Sequence, residues 1–208
     1  MYDDNFKIII EMFNLSHKWS DIDTIYELPN SSTTLSIGAG SYSNNLKICD
    51  FSPSRPYGSE AGTIEIKRFT SIADQVSIHL FGNHDLHKIT TSPLMPIIGD
   101  YQKNSAPETS ETVLIGNDVW IGSNALILSN VNVGDGVVIG ANCVVSKDVP
   151  PYAVVVGNPM RIIKFRFDES TILQLLKIRW WEWSSEKILM NANLLMSRNI
   201  EDFVRENI

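Results

Sequence analysis

The chain has 208 residues, 43% of them apolar, which is enough for one substantial core and an appendage. Its net charge of −7 argues against a surface that wraps nucleic acid, where basic clusters would be needed, and no run approaches the roughly eighteen apolar residues of a membrane span. The opening MYDDNFKIIIEMFNLSHKW has acids at its head and only a short apolar patch, unlike a secretory signal, so a cytoplasmic location is expected. Cys49 and Cys143 stand in different contexts and make no metal or disulfide framework.

Residues 1–34 read as a helical or irregular N-terminal cap, with Phe6, Ile9, Ile10 and Phe13 at helical spacing and a polar exit from Asn30 to Thr34. From residue 35 a six-residue pattern begins weakly with Ile37-Gly38-Ala39-Gly40-Ser41. It is interrupted near 49–62 by CDFSPSRPYGSEAG, whose Pro, Ser and Gly content reads as a loop thrown outward. Ile66, Ile72 and Ile78 resume the phase, with Thr70 and Val76 at its small-residue position. A longer interruption, near 82–112, carries His84, His87, Pro93, Pro96 and Pro107; loops of this length in a compact domain tend to be functional.

Between Ile115 and Val149 the period is plain. Ile115, Ile121, Ile127, Val133, Ile139 and Val145 share one phase, and Val119, Ala125, Val131, Val137, Cys143 and Val149 follow four residues behind. Gly116, Gly122, Gly134 and Gly140 come directly after the aliphatic residue, with Asn117, Asp118, Asn124, Asp135 or Asn142 close behind. Glycine, Asn and Asp are expected at these corners because they tolerate left-handed backbone. Neither helical periodicity nor strand alternation produces this pattern. Rungs with an inward aliphatic, a corner and an inward small residue do, and they bury their apolar side only by stacking, which is the sequence signature of an all-β parallel solenoid. The hexads stop at PPYAVVVGNPMRIIKFRF. From Asp168, with Glu169 a plausible helix start, residues 168–208 read as a helical tail whose Trp180, Trp181 and Trp183 are expected to pack against the coil or a neighbouring subunit.

The hexads with VWIG at Val119–Gly122, the segment SKDVPPYAVVVGNPMRIIK at Ser146–Lys164 and the loop GNHDLHKITTSPL at Gly82–Leu94 together resemble the hexapeptide acyltransferases. The likeness is greatest to the xenobiotic and sugar O-acetyltransferase branch and covers about residues 35–200. It implies a left-handed parallel β-helix over residues 35–167, about eighteen residues per coil, assembled as a homotrimer. It also implies acetyl-CoA as co-substrate with no metal required, and direct acetyl transfer to a hydroxyl of a carbohydrate, namely a surface polysaccharide or its precursor. Antibiotic O-acetylation of the chloramphenicol or streptogramin kind is the alternative acceptor reading.

Such transfer requires a base, because a hydroxyl is a poor nucleophile until its proton begins to leave, and a neutral imidazole can take that proton. His84 occupies the place of the family's catalytic histidine. His87 is its rival within the loop, His79 reads as a turn residue at the surface or in packing, and His17 reads as structural. The partner that orients His84 is open between Asp85 and Asp50. By the same resemblance Ser123, Ala141, Ser146, Lys147 and Arg161 match positions that contact the cofactor. The run Arg161, Lys164 and Arg166 concentrates cations for its phosphates. Tyr42, in the turn of the first hexad, and Trp120 match positions near the acceptor. Two other classes compete: a γ-carbonic-anhydrase-like metal enzyme, for which His79 and His84 offer one ligand pair, and a non-catalytic scaffold.

Overall fold

The computed structural model describes residues 8–10, 23–28, 33–50, 61–92, 94 and 110–208. Its strands fall into three sheets that the chain visits in turn. The first holds β2 (Thr24–Glu27), β3 (Thr34–Ile37), β6 (Thr63–Ile66), β9 (Thr112–Ile115) and β12 (Val131–Val133). The second holds β4 (Tyr42–Ser43), β7 (Ser71–Ile72), β10 (Trp120–Ile121), β13 (Val138–Ile139), β15 (Ala153–Val156) and β16 (Arg161–Phe165). The third holds β1 (Ile8–Ile10), β5 (Leu46–Asp50), β8 (Ser77–Leu80), β11 (Leu126–Ile127) and β14 (Val144–Val145). From β3 to β14 every third strand returns to the same sheet and pairs in parallel with its predecessor, and β15 then adds in parallel to β13. Thus Ile121 lies against Ile139, Ile127 against Val145 and Ile115 against Val133, each pair eighteen residues apart.

Both inward phases of the repeat are buried. Ile115, Ile121, Ile127 and Val145 are fully enclosed, and so are Thr70, Val76, Val137 and Cys143 at the small position. They join one continuous apolar core down the axis, each large aliphatic stabilising the stack by roughly 1.5–3 kcal/mol. Burial pushes the Cys143 thiol pKa up, as befits a core residue.

The corner glycines serve a different purpose from the one their residue type suggests. Gly116, Gly122, Gly134 and Gly140 do not adopt positive φ. A Cβ at Gly122 would instead stand 2.6 Å from the backbone nitrogen of Ala141 in the next coil, and one at Gly116 would stand 2.7 Å from that of Asp135. Close approach of successive coils therefore requires glycine there. The left-handed position comes two residues later, at Asp118, Asn124, Asn130, Gly136 and Asn142 (φ between 53° and 69°), and also at Phe69, Gln75, Phe81 and Tyr152.

Antiparallel strands close both ends of the parallel stack. β1 pairs antiparallel with β5, β2 with β3, and β16 with β15, so that the ladder edges are partly covered. This corrects the expected helical spacing around Ile9 and Ile10, which lie in β1; Phe6, Phe13 and His17 fall outside the described residues. The coil also runs one rung beyond Val149, into β15, where Ala153 and Val155 are buried. The interruption expected from residue 49 starts later, since Cys49 and Asp50 are in β5 and Asp50 is buried; residues 51–60 are outside the description. Of the second interruption, residues 82–92 are turns and bends with every residue exposed, Thr112 already belongs to β9, and Pro93, Pro96 and Pro107 are outside the description.

The tail folds as α1 (Glu169–Ile178), a 3₁₀ turn (Trp180–Glu182), α2 (Ser185–Met190), α3 (Ala192–Leu195) and α4 (Ile200–Asn207). It packs on the corner between the first and second sheets. Phe69 and Trp180 stack 4.9 Å apart, Trp181 is buried, Trp183 meets Phe203 at 5.9 Å, and Arg68 donates to the Trp181 carbonyl at 3.0 Å. The tryptophans are packing residues within the chain.

Asp168 caps α1. Its carboxylate accepts from the Ser170 hydroxyl and from the Thr171 amide and hydroxyl, and these bonds hold its pKa down to about 2. A lowered carboxylate pKa means that the cap's contribution is present above the ordinary value of 3.8 and is lost as pH falls through about 2. Tryptophan fluorescence followed down through that window should report loosening of the tail in the wild type. Asp168→Asn should lack that acid-linked step; an identical profile in the variant would assign the loosening to other groups.

Candidate active site

His84 lies on the loop that leaves β8 at the corner between the third and first sheets, and its side chain is exposed. Its Nδ1 is 2.6 Å from the Thr91 carbonyl oxygen. A carbonyl only accepts, so Nδ1 carries the proton, and in the neutral ring Nε2 is then the nitrogen with the lone pair, the tautomer that a proton acceptor needs. The orienting partner is thus a backbone carbonyl. Asp85 instead accepts from the His87 amide at 2.9 Å, fixing the local turn, and Asp50 is buried at the end of β5. The Asn83 amide reaches Ser129 Oγ on the next coil at 3.5 Å, a long contact that ties the base of the loop to the stack. His79 is in β8 rather than in a turn, in register with Cys49, and its partial burial lowers its imidazole pKa.

The remaining predicted residues fall into three places. Ser146 and Lys147 are exposed at the corner that also carries His84, one coil above Leu128 and Ser129. Ser123 and Ala141 stack in successive coils at the corner between the second and third sheets, where the Asn142 amide donates to the Ser123 carbonyl at 2.9 Å. Arg161 opens β16 opposite Val156 near that second corner. These two groups flank one face, the outside of the third sheet, whose half-buried Leu126, Leu128 and Val144 form an apolar floor between them. Lys147 and Arg161 are exposed and have no ion pair among the described residues. Arg166 must be removed from the cation set. Its guanidinium pairs with Asp118 at 3.2 Å, donates to the Gly136 carbonyl at 2.8 Å and lies over the rings of Tyr152 and Phe167.

Tyr42 is in β4, not in a turn, and Trp120 is in β10; both stand on the outside of the second sheet, 44% and 58% exposed. Each is in register with Ser71 on the strand between them, so the two rings share one face about 10 Å apart. That sheet lies opposite the corner that carries His84. A single chain therefore brings Lys147 and Ser146 to the His84 corner but leaves Tyr42 and Trp120 away from it. The contacts that Thr91, Asn83 and Ser129 make around this loop carry no signal in the sequence pattern. A carbonyl that orients an imidazole leaves no residue-type signature, and Ser129 sits at a corner whose neighbours are unremarkable polar residues.

Among the described residues no three His, Cys, Asp or Glu side chains gather as a metal set, and no helix is long and apolar enough to cross a membrane.

Residues 112–147, the clearest stretch of the three-sheet coil, match the family model described as bacterial transferase hexapeptide (six repeats). A chloramphenicol acetyltransferase of Agrobacterium fabrum (strain C58) is 40% identical over 151 residues, 70% of this chain and 72% of its own length. A probable macrolide acetyltransferase of Lysinibacillus sphaericus is 42% identical over 138 residues, covering 64% and 76%. Among solved structures, a maltose O-acetyltransferase from Clostridium difficile 630 is 30% identical over 62% of this chain and 71% of that one, with a TM-score of 0.39. With its stacked hexads and these relatives, the chain belongs to the hexapeptide-repeat transferases. Within that family it is an acetyltransferase.

Proposed function

We propose that the chain transfers an acetyl group from acetyl-CoA to a hydroxyl, with His84 as general base. The observation that carries this reading is the 2.6 Å contact from His84 Nδ1 to the Thr91 carbonyl, which fixes the proton of the neutral ring on Nδ1 and leaves Nε2 as its accepting nitrogen on an exposed side chain. His84 takes the acceptor's proton as its oxygen joins the acetyl carbon, and the same proton is then available to the departing thiolate sulfur. No covalent intermediate on the protein is needed, in keeping with Cys143 being sealed in the core.

Coenzyme A is long, amide-rich and anionic at one end. The apolar floor of Leu126, Leu128 and Val144, flanked by Ser123 and Ala141 on one side and by Ser146 and Lys147 on the other, suits its arm, while Lys147 and Arg161 supply free cations for its phosphates. Calorimetry with coenzyme A on the wild type, Lys147→Ala and Arg161→Ala should give weaker binding in each variant, by about three- to tenfold per lost charge contact. Unchanged affinity in both would remove the assignment.

The catalytic unit in this reading is a left-handed β-helix over residues 35–167, with a cap over 1–34 and a tail over 168–208, assembled as a homotrimer. The separation of Tyr42 and Trp120 from the His84 corner supports assembly, because a neighbouring copy can bring one chain's second sheet to another chain's His84. Light scattering should return the mass of three chains; a stable monomer with full activity would rule out a shared site.

For the acceptor, the exposed aromatic pair Tyr42 and Trp120 favours a carbohydrate ring of a surface polysaccharide or its precursor, since flat rings suit the apolar face of a sugar. The names of the two relatives favour the second reading, an antibiotic hydroxyl. Thiol release from acetyl-CoA with a panel of sugars and of phenicol and macrolide drugs separates the two.

A further inference from the structure

At the corner between the first and second sheets, away from the corner that carries His84, a cleft of about 420 Å³ separates the coil from the tail. That volume is in the range of small-molecule sites. Its walls are mostly rings and branched aliphatics, Phe69, Tyr152, Trp180 and Phe203 with Leu175 and Leu195. Three charged side chains also line it. Asp118 and Arg166 neutralise one another through their 3.2 Å contact, and Arg166 is pinned there by the Gly136 carbonyl and the Tyr152 and Phe167 rings. Arg198, on the segment between α3 and α4, is exposed and has no ion pair among the described residues. The lining is therefore apolar with one uncompensated positive charge, on a chain whose overall charge is −7. The Tyr152 hydroxyl, buried without a hydrogen-bond partner among the described residues, is a second unmet polar group in the same wall. A buried hydroxyl left unpaired is costly, and an oxygen-bearing ligand admitted beside the ring would give it an acceptor.

We propose that this cleft binds an apolar monocarboxylate, its hydrocarbon or aromatic body against the ring-lined walls and its carboxylate on Arg198. A polyol would set most of its hydroxyls against rings and aliphatics, the Ser197 and Asn199 side chains in the lining being engaged with their own segment, and an organic cation would face Arg198. An apolar body with one negative end satisfies both features. Because the cleft is bounded on one side by the tail, occupancy would also fasten the tail to the coil.

The test uses the full chain and 3-phenylpropanoate as probe, with 3-phenylpropanamide as its uncharged counterpart and acetate as the charge without the apolar body. Calorimetry should give saturable one-to-one binding of the acid on the order of 1 mM or tighter, with the amide and acetate about tenfold or more weaker. Arg198→Gln changes an exposed residue and keeps the fold, and it should weaken the acid by about three- to tenfold while leaving the amide unchanged. The Trp180 indole N–H resonance should shift with the same dissociation constant. No saturable binding of the acid, equal affinity for acid and amide, an unaffected Arg198→Gln variant, or shifts that spare Trp180 would each overturn the proposal. Coenzyme A binding and acetyl transfer are read separately, so failure here leaves the His84 assignment untouched.

Discussion

Replacing His84 by Ala lowers acetyl transfer by about 10²- to 10⁴-fold, the contribution of a positioned general base, while the fold and coenzyme A affinity stay as in the wild type. The side chain is exposed on a loop outside the stacked rungs, so no core contact is lost with it. His87→Ala lowers the rate far less, because the Asp85 contact in that turn is made by the His87 backbone amide and survives the substitution. Thiol release from acetyl-CoA with the preferred acceptor measures both. A fully active His84→Ala enzyme beside a dead His87→Ala enzyme would move the base to His87 and void the role assigned to the Thr91 carbonyl.

The second large effect is on stability. Gly122→Ala places a methyl group 2.6 Å from the Ala141 backbone nitrogen and 3.0 Å from its Cα, and neither atom can yield without parting two coils. Overpacking of this kind costs about 1–3 kcal/mol. Asn124→Gly, two residues away at φ 58°, changes stability by less than about 1 kcal/mol, since the relief of left-handed strain is offset by greater freedom in the unfolded chain. Urea unfolding of the pair separates the two uses of small residues at a corner. Equal losses would mean that Gly122 serves backbone conformation after all.

The stacking was legible in the sequence because the period dictates it. A residue facing inward every six positions has nowhere to bury itself except against its copy one coil away, and Ile121 on Ile139 or Ile127 on Val145 follows from that alone. The role of the corner glycines was not legible, because residue type cannot distinguish a need for positive φ from a need for space. The ends of the stack were misread for a related reason. Ile9 and Ile10 suit a helix face or a short strand equally, and only pairing with β5, far along the chain, decides between them. The motifs named His84 and the Ser146–Lys147 pair, and the fold brings them to one corner. What orients His84 was not, since the carbonyl of Thr91 belongs to every residue type alike. The run Arg161–Arg166 looked like one charged face, yet in space Arg161 has no ion pair among the described residues and Arg166 is consumed by Asp118, Gly136 and two aromatic rings.

Where β6, β7 and β8 meet β9, β10 and β11, the paired residues lie forty-nine positions apart in the chain instead of eighteen: Ile66 against Ile115, Ile72 against Ile121 and Ile78 against Ile127. The ladder takes up the extra length at one corner and resumes in phase, and lengthening such a connection costs closure entropy only logarithmically. Heredity thus has two nearly independent texts to edit in this chain. The rungs tolerate only exchanges among residues of like size, whereas the stretch between Phe81 and Glu111, two residues that are themselves buried and joined to each other, can be lengthened or shortened at little cost to the stack. A chimera that carries a relative's stretch between those two residues and keeps His84 should fold on this scaffold, while Tyr42 and Trp120 stay where the rungs hold them.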